Sequence, residues 1–137
     1  MIFIADSNFV YALYNANDIH HQDAMSWLSH NTEVMLVPDV VLPEVSYLIA
    51  RDIGHSGMQK FLEYFMQLDV QLEAVGMDDL AGVRDIVSAY PGARFDLVDC
   101  CIMAIAERLD VTRIATFDRR DFSIFQPSHC DYLELLP

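Results

Sequence analysis

Basic side chains are scarce in this sequence: 8 Lys and Arg stand against 21 Asp and Glu, for a formal net charge of −13. A surface that grips phosphate backbones ordinarily gathers cations that displace counterions, so composition alone argues against a broad nucleic-acid-binding face. Cysteine is sparse and odd in number, at 3, and adjacent Cys100 and Cys101 cannot easily pair with each other, which argues against a disulfide framework. Zinc-ligand spacing is also missing, so Cys100 and Cys101 are expected to pack inside an apolar helix. Apolar runs of membrane-spanning length do not occur. The start, Met1-Ile2-Phe3-Ile4-Ala5-Asp6, has neither a basic leader nor the extended apolar stretch of a secretory signal. Reduced, cytoplasmic surroundings with no membrane are the expectation. No internal repeat, linker or low-complexity segment divides the chain.

What is present is an apolar interior: 53% of residues are hydrophobic and the mean hydropathy is +0.22. With 137 residues the chain suits a single domain over 1–137. Met1 to Ala5 reads as a buried strand, and Asp6-Ser7-Asn8 are good cap residues ahead of Phe9, Val10, Leu13 and Tyr14 at helical spacing. A second helix carries Ala24, Trp27 and Leu28, and Val34 to Val37 is a strand stopped by Pro38. Val40, Val41, Glu44, Val45, Leu48 and Ile49 mark a helix ending near Gly54. Met58, Phe61, Leu62, Phe65 and Met66 share one helix face. A strand from Val70 to Val75, a helix through Leu80, Val83, Ile86 and Val87, a helix from Leu97 to Leu109, and strands at Arg113–Phe117 and Tyr132–Leu136 complete the pattern. Strands alternating with helices imply right-handed crossovers and a parallel, helix-covered sheet.

Ligands of such sheets bind beyond the carboxyl ends of the strands, and Asp6 and Asp118 both follow expected strands. Taken alone, Asp6 reads equally well as a helix cap and Asp118 as a turn residue. Glu44 shares a stripe with Val40, Val41 and Leu48, where an ionised carboxylate needs a partner. Asp96 is expected to cap the helix that follows it, and Asp99 to point inward beside Ile102 and Met103. Four carboxylates drawn together repel, and a hard divalent cation holds them ionised, which favours Mg²⁺ or Mn²⁺ over Zn²⁺. Cations bound there also neutralise part of the acidity. His20, His21, His30, His55 and His129 lie in polar stretches and are expected to be solvated.

Ile4-Ala5-Asp6-Ser7-Asn8, Val41-Leu42-Pro43-Glu44-Val45, Phe95-Asp96-Leu97-Val98-Asp99-Cys100-Cys101-Ile102 leading to Ala106-Glu107-Arg108-Leu109, and Ala115-Thr116-Phe117-Asp118-Arg119-Arg120-Asp121-Phe122 together carry a resemblance over nearly the whole chain. The sequence resembles the PIN-domain family, and is most like the bacterial VapC-type ribonuclease toxins. Ser7 stands where threonine is frequent, and Cys100-Cys101 replaces small residues. The resemblance implies an α/β, three-layer fold with a parallel five-stranded sheet flanked by helices. Asp6, Glu44, Asp99 and Asp118 match the family's acidic quartet, Asp121 a further acidic position and Thr116 a hydroxyl position. Similar proteins are Mg²⁺- or Mn²⁺-dependent endoribonucleases, commonly homodimeric and inhibited by a cognate antitoxin protein.

On this reading water attacks phosphorus in line and leaves a 5′-phosphate and a 3′-hydroxyl. Ser7 and Thr116 orient water or phosphate, and Arg94, Arg119 and Arg120 border the site as candidate phosphate contacts. Two rival readings remain in view. One is a catalytically silent binding module acting through a protein partner. The other is a phosphatase with an aspartyl nucleophile, which would need a second aspartate near Asp6 that Ser7 and Asn8 do not provide. The stripe Phe61, Phe65 and Met66, with Tyr47 or Tyr64 at its margin, is expected to serve a partner groove or dimer face as well as the core.

Overall fold

The computed structural model describes residues 1–137. Elements follow in the order β1 (Ile2–Ala5), α1 (Ser7–Tyr14), α2 (His21–His30), β2 (Val34–Pro38), α3 (Val41–Asp52), α4 (Gly57–Gln67), β3 (Val70–Glu73), α5 (Met77–Ala89), α6 (Leu97–Leu109), β4 (Arg113–Ala115), α7 (Arg120–Ile124) and β5 (Glu134–Leu136). The five strands form one sheet in the order β3-β2-β1-β4-β5, and every pairing is parallel. β1 is central because its Phe3, Ile4 and Ala5 can be buried on both faces. It aligns Ile4 with Leu36 of β2 on one side, and Ala5 with Ala115 of β4 on the other.

Chain direction across the sheet fixes the layers. The connections β1 to β2 and β2 to β3 step one way, so right-handed crossovers place α1 to α4 on one face, where α1 packs on α2 and α3, and α3 on α4. The return from β3 to β4 steps the other way and puts α5 and α6 on the opposite face, with α7 against α6. A core of 33 buried residues runs through both layers. The strand order reverses at β1, between β1 and β4, and there the carboxyl ends open a crevice.

α6 is the most deeply set helix, buried without interruption from Asp99 to Ala106. Cys100 and Cys101 are fully packed free thiols, as expected. The helix stops at Asp110, whose left-handed backbone (φ 57°) lets the Val111 N–H return to the Ala106 carbonyl. Pro38 belongs to β2 as its last residue rather than lying beyond it, since its missing N–H falls where the ladder ends. The strands at 70, 113 and 132 are shorter than their apolar runs, and the single-turn-plus helix α7 gave no periodic signal at five residues. No helix is long and apolar enough to cross a membrane.

Candidate active site

Parallel pairing of β1 with β4 in the Ala5–Ala115 register delivers the next residues, Asp6 and Thr116, side by side at the crevice. The buried Thr116 hydroxyl donates to Asp6 Oδ2 at 2.8 Å and accepts the Asp118 N–H at 3.1 Å, tying the two aspartates together. Asp6 also caps α1, its Oδ1 accepting the Ser7 N–H at 2.7 Å, so the cap role and the site role coincide in one side chain. Ser7 Oγ in turn donates to Glu44 Oε2 at 2.6 Å, which brings in the first turn of α3.

Asn8, read from the sequence only as a cap residue, completes this end of the site. Its Oδ1 accepts the Phe117 N–H at 2.9 Å, and its Nδ2 donates to Thr116 Oγ1 at 3.2 Å and reaches Asp6 Oδ2 at 3.4 Å. The signal for it was the uninterrupted polar triplet after an apolar strand.

Asp96 is the N-cap of α6, its Oδ1 accepting the N–H groups of Val98 (2.7 Å) and Asp99 (3.3 Å). That cap aims Asp99, in the first turn, into the crevice. Asp121 on α7 accepts the Asp96 N–H at 3.2 Å, pairs with Arg120 at 2.6 Å, and lines the crevice with Asp99.

These groups line one cleft of about 220 Å³, walled by Asp6, Ser7, Glu44, Asp99, Asp118 and Asp121, with Asn8, Asp96 and Arg120 at its margin. The carboxylates face a shared space without closing to a ligand shell around one point. Asp6 and Asp99 form its buried floor, while Glu44 and Asp118 are exposed at its mouth. Glu44 therefore differs from expectation: the apolar stripe of α3 turns inward at Val41, Val45 and Ile49 and leaves Glu44 on the helix flank. Arg94 is exposed, with a left-handed backbone (φ 55°), and lies outside the lining; Arg119 faces a different groove, and Thr116 stands behind Asp6.

Burial pushes the Asp6 carboxyl up to about 6; the Thr116 and Ser7 hydrogen bonds oppose the shift, and the charges of Glu44 and Asp118 add to it. Burial likewise raises Asp99, to about 9, helped by the Asp6 charge and by the neighbouring Asp121 carboxyl. None of the fold's ion pairs includes Asp6, Glu44, Asp99 or Asp118. Buried carboxylates left without a cationic side chain, in an all-oxygen setting, fit a hard divalent cation. No histidine lines the cleft. Three of the five are nevertheless less solvated than expected: His20 stacks on Phe117, His21 Nδ1 meets the Ala12 carbonyl at 2.7 Å, and His129 Nε2 meets that of Val111 at 2.7 Å.

The chain is similar to known proteins over nearly its whole length. The chain is 24% identical over 124 residues to ribonuclease VapC26 of Mycobacterium tuberculosis, spanning 90% of this chain and 92% of that one. The crystal structure of VapC20, a sarcin-ricin loop cleaving toxin of the same organism, superposes with a TM-score of 0.81 at 22% identity, covering 95% and 98% of the two chains. A VapBC2 structure from Rickettsia felis, bound to a DNA fragment from its promoter, gives 0.72 at 14% identity and covers 98% and 97%. Both structural likenesses place the five-stranded parallel sheet and its flanking helices in one known fold. With residues 3–125 matching the family's sequence model, the chain belongs to the PIN domain family.

Proposed function

We propose that this protein is a divalent-metal-dependent endoribonuclease, acting in the cytoplasm as the toxin of a toxin–antitoxin pair, with Asp6, Glu44, Asp99 and Asp118 as its catalytic quartet. The observation that carries the reading is the convergence of these four carboxylates, from four separate segments, on one cleft at the switch point of the sheet, with no basic side chain paired to them. A ribonuclease relative and a toxin–antitoxin structural neighbour support it.

Bound Mg²⁺ or Mn²⁺ supplies a Lewis acid for the phosphate and a more acidic water. Asp6 and Asp99 on the floor of the cleft and Glu44 and Asp118 at its mouth would hold the ion, whose charge would favour the ionised form of the two buried carboxyls. Thr116 and Asn8 fix the Asp6 carboxylate, while Ser7 fixes Glu44. Arg120, which lines the cleft while donating to Asp121 and the Ala93 carbonyl, is the candidate phosphate contact of the three arginines. In-line attack of water on phosphorus with departure of the 3′ oxygen leaves a 5′-phosphate and a 3′-hydroxyl.

Exposed apolar side chains support a protein partner. Phe61 and Phe65 of the α4 stripe are in the core, whereas Met66 (74% exposed), Leu62 (43%) and Tyr47 (65%) stay outside it. They suit a cognate antitoxin segment or a homodimer contact.

Single-stranded RNA incubated with the purified protein tests the reading. Cleavage is expected with Mg²⁺ or Mn²⁺, none in excess chelator, and a loss of about 100-fold or more in Asp99→Asn, with that variant at least as stable as the parent in chelator. Undiminished cleavage in chelator, or a near-parental rate in Asp99→Asn, would sink it. A silent binding module would show neither activity nor metal dependence.

A further inference from the structure

The larger opening of the molecule is a different one, a groove of about 990 Å³ beside α2, on the side of the sheet where no helix covers β4 and β5. Only 3 of its 13 lining residues are hydrophobic, which makes it a poor seat for an apolar helix. Its distinctive part is a column of rings. Phe117 stacks on Phe9 (centroids 6.1 Å apart, 22° between planes), and His20 lies almost flat on Phe117 (4.1 Å, 5°). Trp27 meets Phe3 and Phe9 edge-on at 4.8 and 5.9 Å, which anchors the column in the core. His20, half-buried, is its outermost ring. Two of the chain's few arginines stand in the same groove. Arg119 donates to the Pro137 carbonyl at 2.5 Å, whereas Arg113 is held between Glu33 and Glu134 (3.1 Å), which leaves Arg119 as the groove's cation and Asp23 as its other acid.

The groove adjoins the acidic cleft across one stretch of backbone. Phe117 and Arg119 line the groove, while Asp118 and Arg120 line the cleft, so the two openings lie on either side of the turn that leads from β4 into α7. We propose that this groove is a nucleobase subsite, in which a base of single-stranded RNA adjoining the scissile phosphate stacks on His20. The proposal rests on the ribonuclease reading for its choice of occupant. A preformed ring column beside Arg119 matches how single strands are held, by π-faces for bases and a cation for the backbone. The volume accommodates a nucleotide. Because Phe117 at the centre of the stack lies one residue from Asp118, it holds the base next to the cut, whichever base that is.

Trp27, the sole tryptophan, lines the groove and reports on it without turnover. The full chain carrying Asp99→Asn is titrated with a short oligoadenylate and with an abasic ribose-phosphate strand of equal length. Oligoadenylate is expected to quench Trp27 and the abasic strand to bind more weakly; His20→Ala weakens oligoadenylate about tenfold and His20→Phe restores it. In the parent background the His20→Ala effect falls on KM rather than kcat. Equal binding of the two strands, or equal losses in both His20 variants, overturns the proposal. So does a partner protein seated on the His20 ring while RNA leaves Trp27 unquenched. If the parent cleaves no RNA yet oligoadenylate still binds through His20, the nuclease reading fails and the subsite stands; cleavage indifferent to His20 gives the reverse.

Discussion

Asp99 sets the pH behaviour of the metal-free protein. Its carboxyl is raised to about 9 and that of Asp6 to about 6, both from 3.8, chiefly by burial. Both groups therefore bind protons more tightly folded than unfolded, and their contribution to stability is complete below the unfolded value and lost as pH rises through the folded ones. In chelator, the denaturation midpoint is expected to fall from about pH 5 to pH 8, to fall less in Asp99→Asn, and to recover with excess Mg²⁺ at the upper end. A midpoint in chelator that rises over this interval would contradict the assignment of Asp99 to an unpaired buried carboxylate. The sequence announced Asp99 well, because an acid followed on its own helix face by Ile102 and Met103 has nowhere else to point. It announced Glu44 for the wrong reason, since the stripe of α3 leaves that residue on its flank, and it gave Asn8 no role beyond a cap. Hydrogen bonds between residues 108 and 109 positions apart, as Asn8 makes with Thr116 and Phe117, leave no local periodicity to read.

At the scale of elements, α5 and α6 are pinned to each other by Asp79. Its carboxylate caps α5 through the Gly76 N–H at 3.0 Å and takes two hydrogen bonds from Arg108 of α6, at 2.7 and 3.1 Å. Burial pushes this carboxyl up, but the Arg108 hydrogen bonds, the Gly76 N–H and the Arg108 charge outweigh it and hold the group below 3.8. The stabilisation is thus present above the ordinary carboxylate value and lost as pH falls through the lowered one. Asp79→Ala is expected to cost about 2–4 kcal/mol near neutral pH, from a lost cap and a broken charged pair, and less in acid. Urea denaturation at the two pH values measures it. Helices of this kind were readable: Leu97–Leu109 appears in the structure with the bounds its apolar run gave, because Asp96 caps one end and a left-handed Asp110 stops the other. Strand lengths were less so. Leu135 and Leu136 pair with β4, but Tyr132 is exposed outside the sheet, and an apolar run does not say where its pairing partner ends.

For the whole molecule the dominant fact is charge. With −13 on the protein, a polyanion such as the proposed RNA substrate is repelled at long range. Raising salt from about 0.01 to 0.15 M shortens the screening length from about 30 to 8 Å, so kcat/KM for RNA is expected to rise over that range at fixed low Mg²⁺. A steady decline would mean that phosphate contacts govern the encounter, as they do for basic nucleases. The central place of β1 has another consequence, one of time. β1 is synthesised well before β4, and the Thr116 hydroxyl that holds Asp6 is made 110 residues later. At about 5–20 residues per second that interval is roughly 5–20 s. For all of it Asp6 stands without its neighbour strand, and Asp118 has not been made. The acidic cleft is in this way assembled only after Thr116 and Asp118 have followed Asp6 out, long after the strand that carries Asp6 has been made.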